Sequence, residues 1–185
     1  MRIVAGEFRS RVIEAPRGDD TRPTLDRVRE NLFNILQGQL RGKKVLDLFA
    51  GSGALSLEAL SRGAREAVLC DMDREANRVE KRNIERLHVE NRCRVYLMPY
   101  GHCLEHLRSS GETFDLFFLD PPYRMEDLRS VTDALVPLMA DDAIVVIEHR
   151  AESDVQVTEA LSCYDRRRYG YVGLSLYRRK DGEKA

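Results

Sequence analysis

The chain has 185 residues, 43% of them hydrophobic, which is enough for one α/β domain with a sizeable core. A formal net charge of −1 gives no overall indication of a polyanionic partner, and no apolar run approaches the roughly 20 residues that cross a membrane. Because the N-terminus lacks the apolar stretch of a secretory signal, we predict a cytoplasmic protein with no membrane partner.

The first part of the chain has the pattern of a small extension. Residues 2–4 and 11–14 are predicted to be two short strands of a hairpin around Gly6, followed by a turn-rich connection. Thr24 is the expected N-cap of a helix, because apolar residues at helical spacing follow it as far as Leu36. We therefore divide the chain into an extension and linker (1–23), a main domain (24–180) and a tail (181–185).

From Lys43 onward, strands alternate with helices. The strands are predicted at 44–49, 66–71, 93–98, 114–120 and 143–149, and the helices at 54–62, 73–87, 102–109, 126–139 and 153–161. The chain ends in two further strands that turn near Gly170, or in one long strand with a bulge. Continuous apolar strands separated by helices are typical of a parallel, doubly wound sheet, whose ligands bind beyond the carboxyl ends of its strands.

The four cysteines, Cys70, Cys93, Cys103 and Cys163, form no C-x-x-C pair. His102 lies next to Cys103 but lacks partners at the spacing of a zinc site. We expect free thiols, buried or half-buried, in a reducing compartment, and no metal.

Arginines are concentrated near both ends of the chain. The first group is Arg2, Arg9, Arg11, Arg17, Arg22, Arg27 and Arg29, and the second is Arg166, Arg167, Arg168, Arg178 and Arg179. Each group alone is typical of a solvated face. Two such groups, one at each end of the same domain, together favour contact with a nucleic acid more than either does alone.

Two predicted strand ends indicate a nucleoside cofactor. Gly51 and Gly53 follow the first strand of the alternating region, where they allow a tight turn and a close approach of the backbone to a ligand. Asp71 ends the next strand, about 20 residues further on, where an acid accepts hydrogen bonds from a ribose diol. We expect Asp73, rather than Asp71, to cap the following helix. NAD and S-adenosylmethionine both fit these two features.

A third strand end, Asp120-Pro121-Pro122-Tyr123, favours S-adenosylmethionine. The two prolines fix φ near −65° and remove two N–H donors, which leaves the carbonyls of Asp120 and Pro121 available. Together with the Asp120 carboxylate, a rigid carbonyl is able to accept both hydrogens of an exocyclic amine on a nucleobase, and Tyr123 is placed to stack on the flipped base. This pattern predicts direct methyl transfer to an amine. The structural alternative is a proline turn that merely begins the next helix.

At this point the sequence resembles a known family. VLDLFAGSGAL resembles motif I of the class I S-adenosylmethionine-dependent methyltransferases, and DPPY resembles motif IV of their amino-methylating branch. Together with MRIVAGEFRSR, TRPTLDRVRENLFNIL and IEH, these motifs resemble the RsmD-type 16S rRNA guanine-N2 methyltransferases over essentially the whole chain. The resemblance implies a Rossmann-like, doubly wound sheet of seven strands, mostly parallel with the last strand antiparallel, plus a small N-terminal β-hairpin extension.

The resemblance also implies roles for individual residues. Residues of the S-adenosylmethionine site would be Asp47, Gly51, Gly53 and Asp71, the last on the ribose. The guanine amine would be held by Asp120, Pro121 and Tyr123. Arg22, Arg9 and Arg11 are the expected RNA contacts, and the Arg22–Thr24 stretch would lie at the mouth of the site. The substrate would be 16S rRNA within the 30S subunit, methylated by a monomer.

One position departs from the family pattern. Where the family usually places an acid or amide that meets the adenine amino group, this chain has His102 and Cys103. Either a neutral imidazole nitrogen of His102 or the backbone is expected to accept that hydrogen bond.

Other functions remain open on the sequence. A D-P-P-Y site serves any exocyclic amine, so an adenine-N6 or cytosine-N4 methyltransferase is an alternative, although the chain has no room for the usual target-recognition domain. A protein-glutamine methyltransferase is less compatible, because that branch carries N-P-P-Y. A non-catalytic RNA-binding module with a Rossmann core is the third alternative.

Overall fold

The structure is a computed structural model that describes residues 1–15, 23–122, 125 and 127–180, with only the backbone for residues 23–25. The helices are α1 (Pro23–Ile35), α2 (Ala54–Ser61), α3 (Arg74–Leu87), α4 (Tyr100–Ser109) and α5 (Leu128–Leu135), with short 3₁₀ turns at Glu90–Arg92 and Val136–Leu138. The strands are β1 (Lys44–Asp47), β2 (Glu66–Asp71), β3 (Cys93–Leu97), β4 (Phe114–Leu119), β5 (Met139–Arg150), β6 (Leu161–Tyr169) and β7 (Val172–Arg179).

The strands form one seven-stranded sheet in the order β3-β2-β1-β4-β5-β7-β6. The first five strands are parallel, and β7 runs antiparallel to both β5 and β6. The predicted Rossmann-like sheet with an antiparallel last strand is therefore confirmed. The two C-terminal strands turn at Gly170, as expected, and a register shift between Cys163 and Asp165 adds an irregularity to their pairing.

Two apolar layers cover the sheet, one on each face. One layer packs Phe33 of α1 and Leu57 of α2 against Phe118 of β4. The opposite layer packs Leu107 of α4 and Val131 of α5 against the other side of the same strands. Alternate residues of β4 thus enter opposite layers, which explains why its sequence is continuously apolar. No helix in the described part of the chain is long and apolar enough to cross a bilayer.

The N-terminal extension is not a regular hairpin. Its two arms share a single antiparallel bridge, Arg2 with Val12, in place of the predicted strands. The N–H groups of Val4 and Ala5 instead donate to the buried carboxylate of Glu58 on α2, at 2.7 and 3.1 Å. Since these donors are used by a helix side chain, they are not available for a strand ladder.

The extension also contributes to the core of the main domain. Ile3, Phe8 and Ile13 are buried in the same apolar layer as α1 and α2. The predicted boundary at residue 23 coincides with the start of α1 but does not separate two cores. The predicted tail, 181–185, lies outside the described residues.

Several predicted element bounds differ from the structure. The helix expected at 153–161 is wrong, because 153–158 is irregular there and β6 starts at Leu161. The Thr158 N–H donates to the Thr132 hydroxyl of α5 at 2.9 Å rather than to a helical carbonyl. The branched residues around it also favour an extended backbone.

Two smaller expectations about helices and cysteines are also wrong. Helix α1 starts at Pro23, so Thr24 lies inside the first turn and is not the N-cap. Proline suits that first position because its fixed φ is helical and its missing N–H would have had no helical partner. All four cysteines are free thiols, as predicted, but Cys163 is exposed on the edge strand β6.

Candidate active site

The carboxyl ends of β2, β1 and β4 lie side by side. Asp47, the last residue of β1, pairs in register with Leu69 of β2 and Phe118 of β4. The strand order reverses direction at β1, because β2 and β3 lie on one side of it and β4 and β5 on the other. This reversal is the place where open α/β sheets bind ligands. The structure therefore brings the three predicted strand ends to one edge.

The turn after β1 has the conformation that its glycines predict. Gly51 and Gly53 have φ angles of 57° and 75°, in the left-handed region. The Gly53 N–H donates to the Ala50 carbonyl at 2.7 Å and closes the turn, and α2 begins at the next residue. A Cβ atom on Gly53 would lie 2.8 Å from Cδ2 of Leu69, so a side chain at this position would also have to displace the end of the Leu69 side chain.

Asp71 holds this glycine turn from the neighbouring strand. Its Oδ2 accepts the Gly51 N–H at 2.9 Å, and its Oδ1 accepts the Asp73 N–H at 2.8 Å. Asp73 in turn caps α3 by accepting the N–H groups of Glu75 and Ala76, as predicted. Each Asp71 oxygen has a second lone pair, so the carboxylate is still able to accept hydrogen bonds from a ribose diol. The ribose contact itself stays a prediction.

Asp47 is buried beneath the turn. The hydroxyl of Ser56 donates to its Oδ2 at 3.0 Å, while Oδ1 has no hydrogen-bond partner among the described residues. Burial raises the pKa of Asp47 to about 7, with smaller contributions from the charges of Asp120 and Asp71. A buried oxygen without a partner in an acidic environment favours a cationic ligand group close by.

A second buried acid, Glu80 of α3, lies behind the turn and was missed by the sequence analysis. Burial raises its pKa to about 8, and the charges of Asp47 and Asp71 add to the shift. Its Oε2 receives a long hydrogen bond of 3.4 Å from Asn77, and its Oε1 has no partner among the described residues. A helical glutamate in a charged stretch gives no signal of burial, so only the fold reveals it.

The Asp120-Pro121 segment follows β4 at the same edge. Asp120 is exposed, whereas Pro121 is buried and Pro122 is exposed. The Asp120 charge contributes to the raised pKa of Asp47 on one side and of Glu148, on β5, on the other. Asp120 therefore lies between the glycine-turn half of the edge and β5. Tyr123 lies outside the described residues.

The remaining described site residues lie on α4 and on the N-terminal extension. His102 is exposed in the first turn of α4, which begins two residues earlier than expected. Arg9 and Arg11 are exposed on the N-terminal extension, and the Arg11 guanidinium lies 6.0 Å from the ring centre of Phe8. Arg22 lies outside the described residues. Contacts of His102 with adenine and of the arginines with RNA stay predictions.

One buried amide, which the sequence analysis also missed, connects the extension to the glycine turn. The Asn83 Nδ2 of α3 donates to the Ser52 carbonyl at 2.9 Å and to the Glu14 carbonyl at 3.0 Å. Its Oδ1 accepts the Glu14 N–H at 2.8 Å. The end of the described extension is thereby held beside the turn that is expected to contact the cofactor.

The fold and this edge define a class of protein. The solved structure of an S-adenosylmethionine-dependent methyltransferase from Agrobacterium tumefaciens has a TM-score of 0.63 and 18% identity, covering 85% of this chain and 62% of that one. At this identity the likeness concerns the fold alone. Together with the glycine turn, it identifies the Rossmann-like fold class.

The family follows from closer matches. The model of the family described as conserved hypothetical protein 95 matches residues 1–178. Ribosomal RNA small subunit methyltransferase D of Escherichia coli K12 is 36% identical over 183 residues, or 97% of this chain and 90% of the relative. The solved structure of Escherichia coli yhhF has a TM-score of 0.83 and 35% identity, covering 97% and 98% of the two chains. The chain belongs to this family, the RsmD-type methyltransferases.

The residues at the strand ends fit the cofactor of this class, S-adenosylmethionine, which carries a sulfonium and an ammonium group. The buried Oδ1 of Asp47, which has no hydrogen-bond partner in the described part of the chain, favours a cation nearby, and the left-handed turn at Gly51 and Gly53 allows backbone to come close to a ligand. The cofactor prediction is thus confirmed for the class. Among the described residues, no group of His, Cys, Asp or Glu side chains is arranged to hold a metal ion.

Proposed function

We propose that the protein transfers a methyl group from S-adenosylmethionine to the exocyclic N2 amine of a guanine in 16S rRNA. The observation that carries the proposal is the single edge at which the glycine turn and Asp71 lie beside Asp120 and Pro121. The names of the relatives support ribosomal RNA as the substrate. The chemistry therefore needs a bound cofactor on one half of the edge and a nucleobase amine on the other.

The protein groups in this proposal position an amine that is itself the nucleophile. The cofactor supplies an electrophilic methyl group, and the N–CH₃ bond forms as the S–CH₃ bond breaks. The Asp120 carboxylate and the Pro121 carbonyl accept the two N2 hydrogens, and the prolines hold that geometry because their φ is fixed. Asp120 or water takes the proton that the amine loses. Tyr123 stacks on the base in this proposal, and positioning supplies most of the acceleration.

The exposed arginines are the proposed contacts with RNA. Arg9 and Arg11 lie on the extension, which Glu58 and Asn83 fix to the main domain. Arg22 precedes α1 and completes this group. In this proposal, selectivity for one nucleotide depends on the shape of a folded substrate. We therefore propose that assembled or partly assembled 30S subunits are methylated in preference to stripped rRNA.

The decisive assay methylates stripped 16S rRNA and 30S subunits in parallel with a labelled cofactor, and then maps the modified base by mass spectrometry. We expect one N2-methylguanine, with a higher rate on 30S subunits. A calorimetric titration with S-adenosylmethionine is run on the same preparation. A methyl group on an adenine or cytosine amine would contradict the guanine assignment. An absence of both methylation and cofactor binding would indicate a non-catalytic RNA-binding module.

A further inference from the structure

A cleft opens directly beside the Asp120-Pro121 segment. Its walls include Pro121, Pro122, Met125, Leu128 and Glu148, and its volume is about 420 Å³. We call it the base cleft. This volume lies within the range of small-ligand pockets. Glu148 and Asp154 are its acidic wall residues, and Glu148 is the one next to Asp120.

The pairing of β4 with β5 places Glu148 next to Asp120. Leu119 of β4 pairs in register with Ile147 of β5, so Asp120 and Glu148 follow at the same level on adjacent parallel strands. The charge of Asp120 acts on Glu148 directly. Glu148, which lines the base cleft, therefore lies beside Asp120, the residue that precedes the cleft-lining Pro121.

The surroundings of Glu148 disfavour an ionised carboxylate in the absence of a donor. The residue is half-buried, and no described residue donates a hydrogen bond to its carboxyl group. Burial first, and the charge of Asp120 second, raise its pKa to about 8. The other ionisable groups that line the cleft are His149, Arg150 and Asp154. A ligand N–H would stabilise the ionised carboxylate of Glu148, because it would donate a hydrogen bond to it.

Guanine offers such a donor in the required place. On its Watson–Crick edge, the ring N1–H lies immediately beside the N2 amine. Adenine and cytosine instead present a ring nitrogen acceptor beside their amines. An ionised carboxylate only accepts hydrogen bonds, so it pairs with the guanine edge and repels the lone pair of the other two bases.

We propose that Glu148 selects guanine by accepting a hydrogen bond from N1–H, while Asp120 and the Pro121 carbonyl hold the adjacent N2 amine. This inference rests on the proposed function and deepens it. The D-P-P-Y pattern recognises an amine on any planar base, and Glu148 provides the contact that distinguishes the base. It is a specificity-determining residue of the same site.

The test replaces the target guanine by 2-aminopurine, which keeps the N2 amine but has a ring N1 acceptor in place of N1–H. The substrates are 30S subunits reconstituted with 16S rRNA that carries either base at the mapped position. The assay is run at about pH 8.5, above the Glu148 pKa of about 8. The wild-type protein is expected to favour guanine over 2-aminopurine in kcat/KM by about 10- to 100-fold.

Two variants assign this preference to the side chain. Glu148→Gln keeps the shape but offers both a donor and an acceptor, so the preference for guanine is expected to fall toward one. Glu152→Gln is the matched control, because Glu152 is an exposed neighbour that pairs with Arg168 and does not line the cleft. It should keep the wild-type preference.

The outcomes separate the two proposals. Wild-type protein that methylates guanine and 2-aminopurine at equal rates would overturn the role of Glu148 and leave guanine-N2 methylation in place. Equal losses of rate on both bases in Glu148→Gln would also overturn it, since they would indicate a role in proton transfer or packing. Failure of the wild type to methylate guanine at all would overturn the proposed function, and this inference with it.

Discussion

The two halves of the carboxyl edge of the sheet hold their acidic side chains differently. On the β1 and β2 half, Asp71 accepts two backbone N–H groups and Asp47 accepts the hydroxyl of Ser56. On the β4 and β5 half, Asp120 is exposed and Glu148 receives no hydrogen bond from a described residue. The first half is built largely by internal hydrogen bonds. In the second half, Glu148 lines a cleft that lies next to Asp120.

This difference fits a cofactor site on the β1 and β2 half and a substrate site on the β4 and β5 half. A cofactor that is common to many substrates favours a preformed site, because preorganisation lowers the cost of binding. A substrate base that must be selected supplies its own donor, and Glu148, which receives no hydrogen bond from a described residue, would reject a base that cannot donate. The following predictions test whether the two halves are separable.

The largest effect is expected from Asp120→Ala. Methylation should fall by about 10³-fold or more, because the amine loses its charged acceptor and its orientation. Cofactor affinity, measured by calorimetry, should change little, since Asp120 lies on the other half of the edge. Asp133→Ala, a substitution of an exposed acid on α5, is the control and should retain both properties. A variant that methylates at the normal rate would show that the site is misassigned.

A smaller effect on the opposite half is expected from Asp71→Ala. The affinity for S-adenosylmethionine should weaken by about 100-fold, because the proposed hydrogen bonds from the ribose would lose their charged acceptor and the Gly51 N–H would be released. Asp73→Ala is the matched control on the same turn. It should destabilise α3 by about 1 kcal/mol through loss of the N-cap, and leave cofactor affinity nearly unchanged. If cofactor affinity falls in Asp73→Ala and not in Asp71→Ala, then Asp73 rather than Asp71 contacts the cofactor.

The sequence predicts the first half better than the second. Gly51, Gly53 and Asp71 belong to short local patterns whose conformations follow from residue type. Glu148 follows the apolar run AIVVI, as Asp47 and Asp120 follow apolar runs of their own, so a signal was present. Asp120 lies far away along the chain, however, and only the strand register shows that the two acids lie side by side next to the cleft.

The wrong predictions have a related cause. The helix expected at 153–161 and the strands expected at 2–4 and 11–14 are reasonable on local pattern alone. In the structure, Thr132 accepts the N–H of Thr158, and Glu58 accepts the N–H groups of Val4 and Ala5. Side chains from distant elements thus replace backbone partners, which no local periodicity reveals.

The smallest effect is expected at the buried Glu80. On the β1 and β2 half of the edge, it is an acid that is poorly hydrogen-bonded, with one long bond from Asn77. Its ordinary pKa is 4.5 and its folded-state pKa is about 8, so the folded protein keeps a proton that the unfolded chain releases between these values. The free energy of unfolding should therefore fall as the pH rises from 4.5 to 8, and stay level above that range. Lys81 opposes this shift, whereas Asp47 and Asp71 increase it.

Glu80→Gln tests this directly, because the amide resembles the protonated acid and keeps an oxygen for Asn77. Near pH 4.5 the variant and the wild type should have similar stability in urea unfolding, and by about pH 8.5 the variant should be more stable by on the order of 1–3 kcal/mol. Glu85→Gln, at an exposed position on the same helix, is the control and should show no such pH-dependent gain. A Glu80→Gln advantage that is equal at both pH values would mean that the acid is ionised in the folded protein. Glu80 would then add a negative charge near Asp47 and Asp71, on the half of the edge that is expected to bind a cationic cofactor.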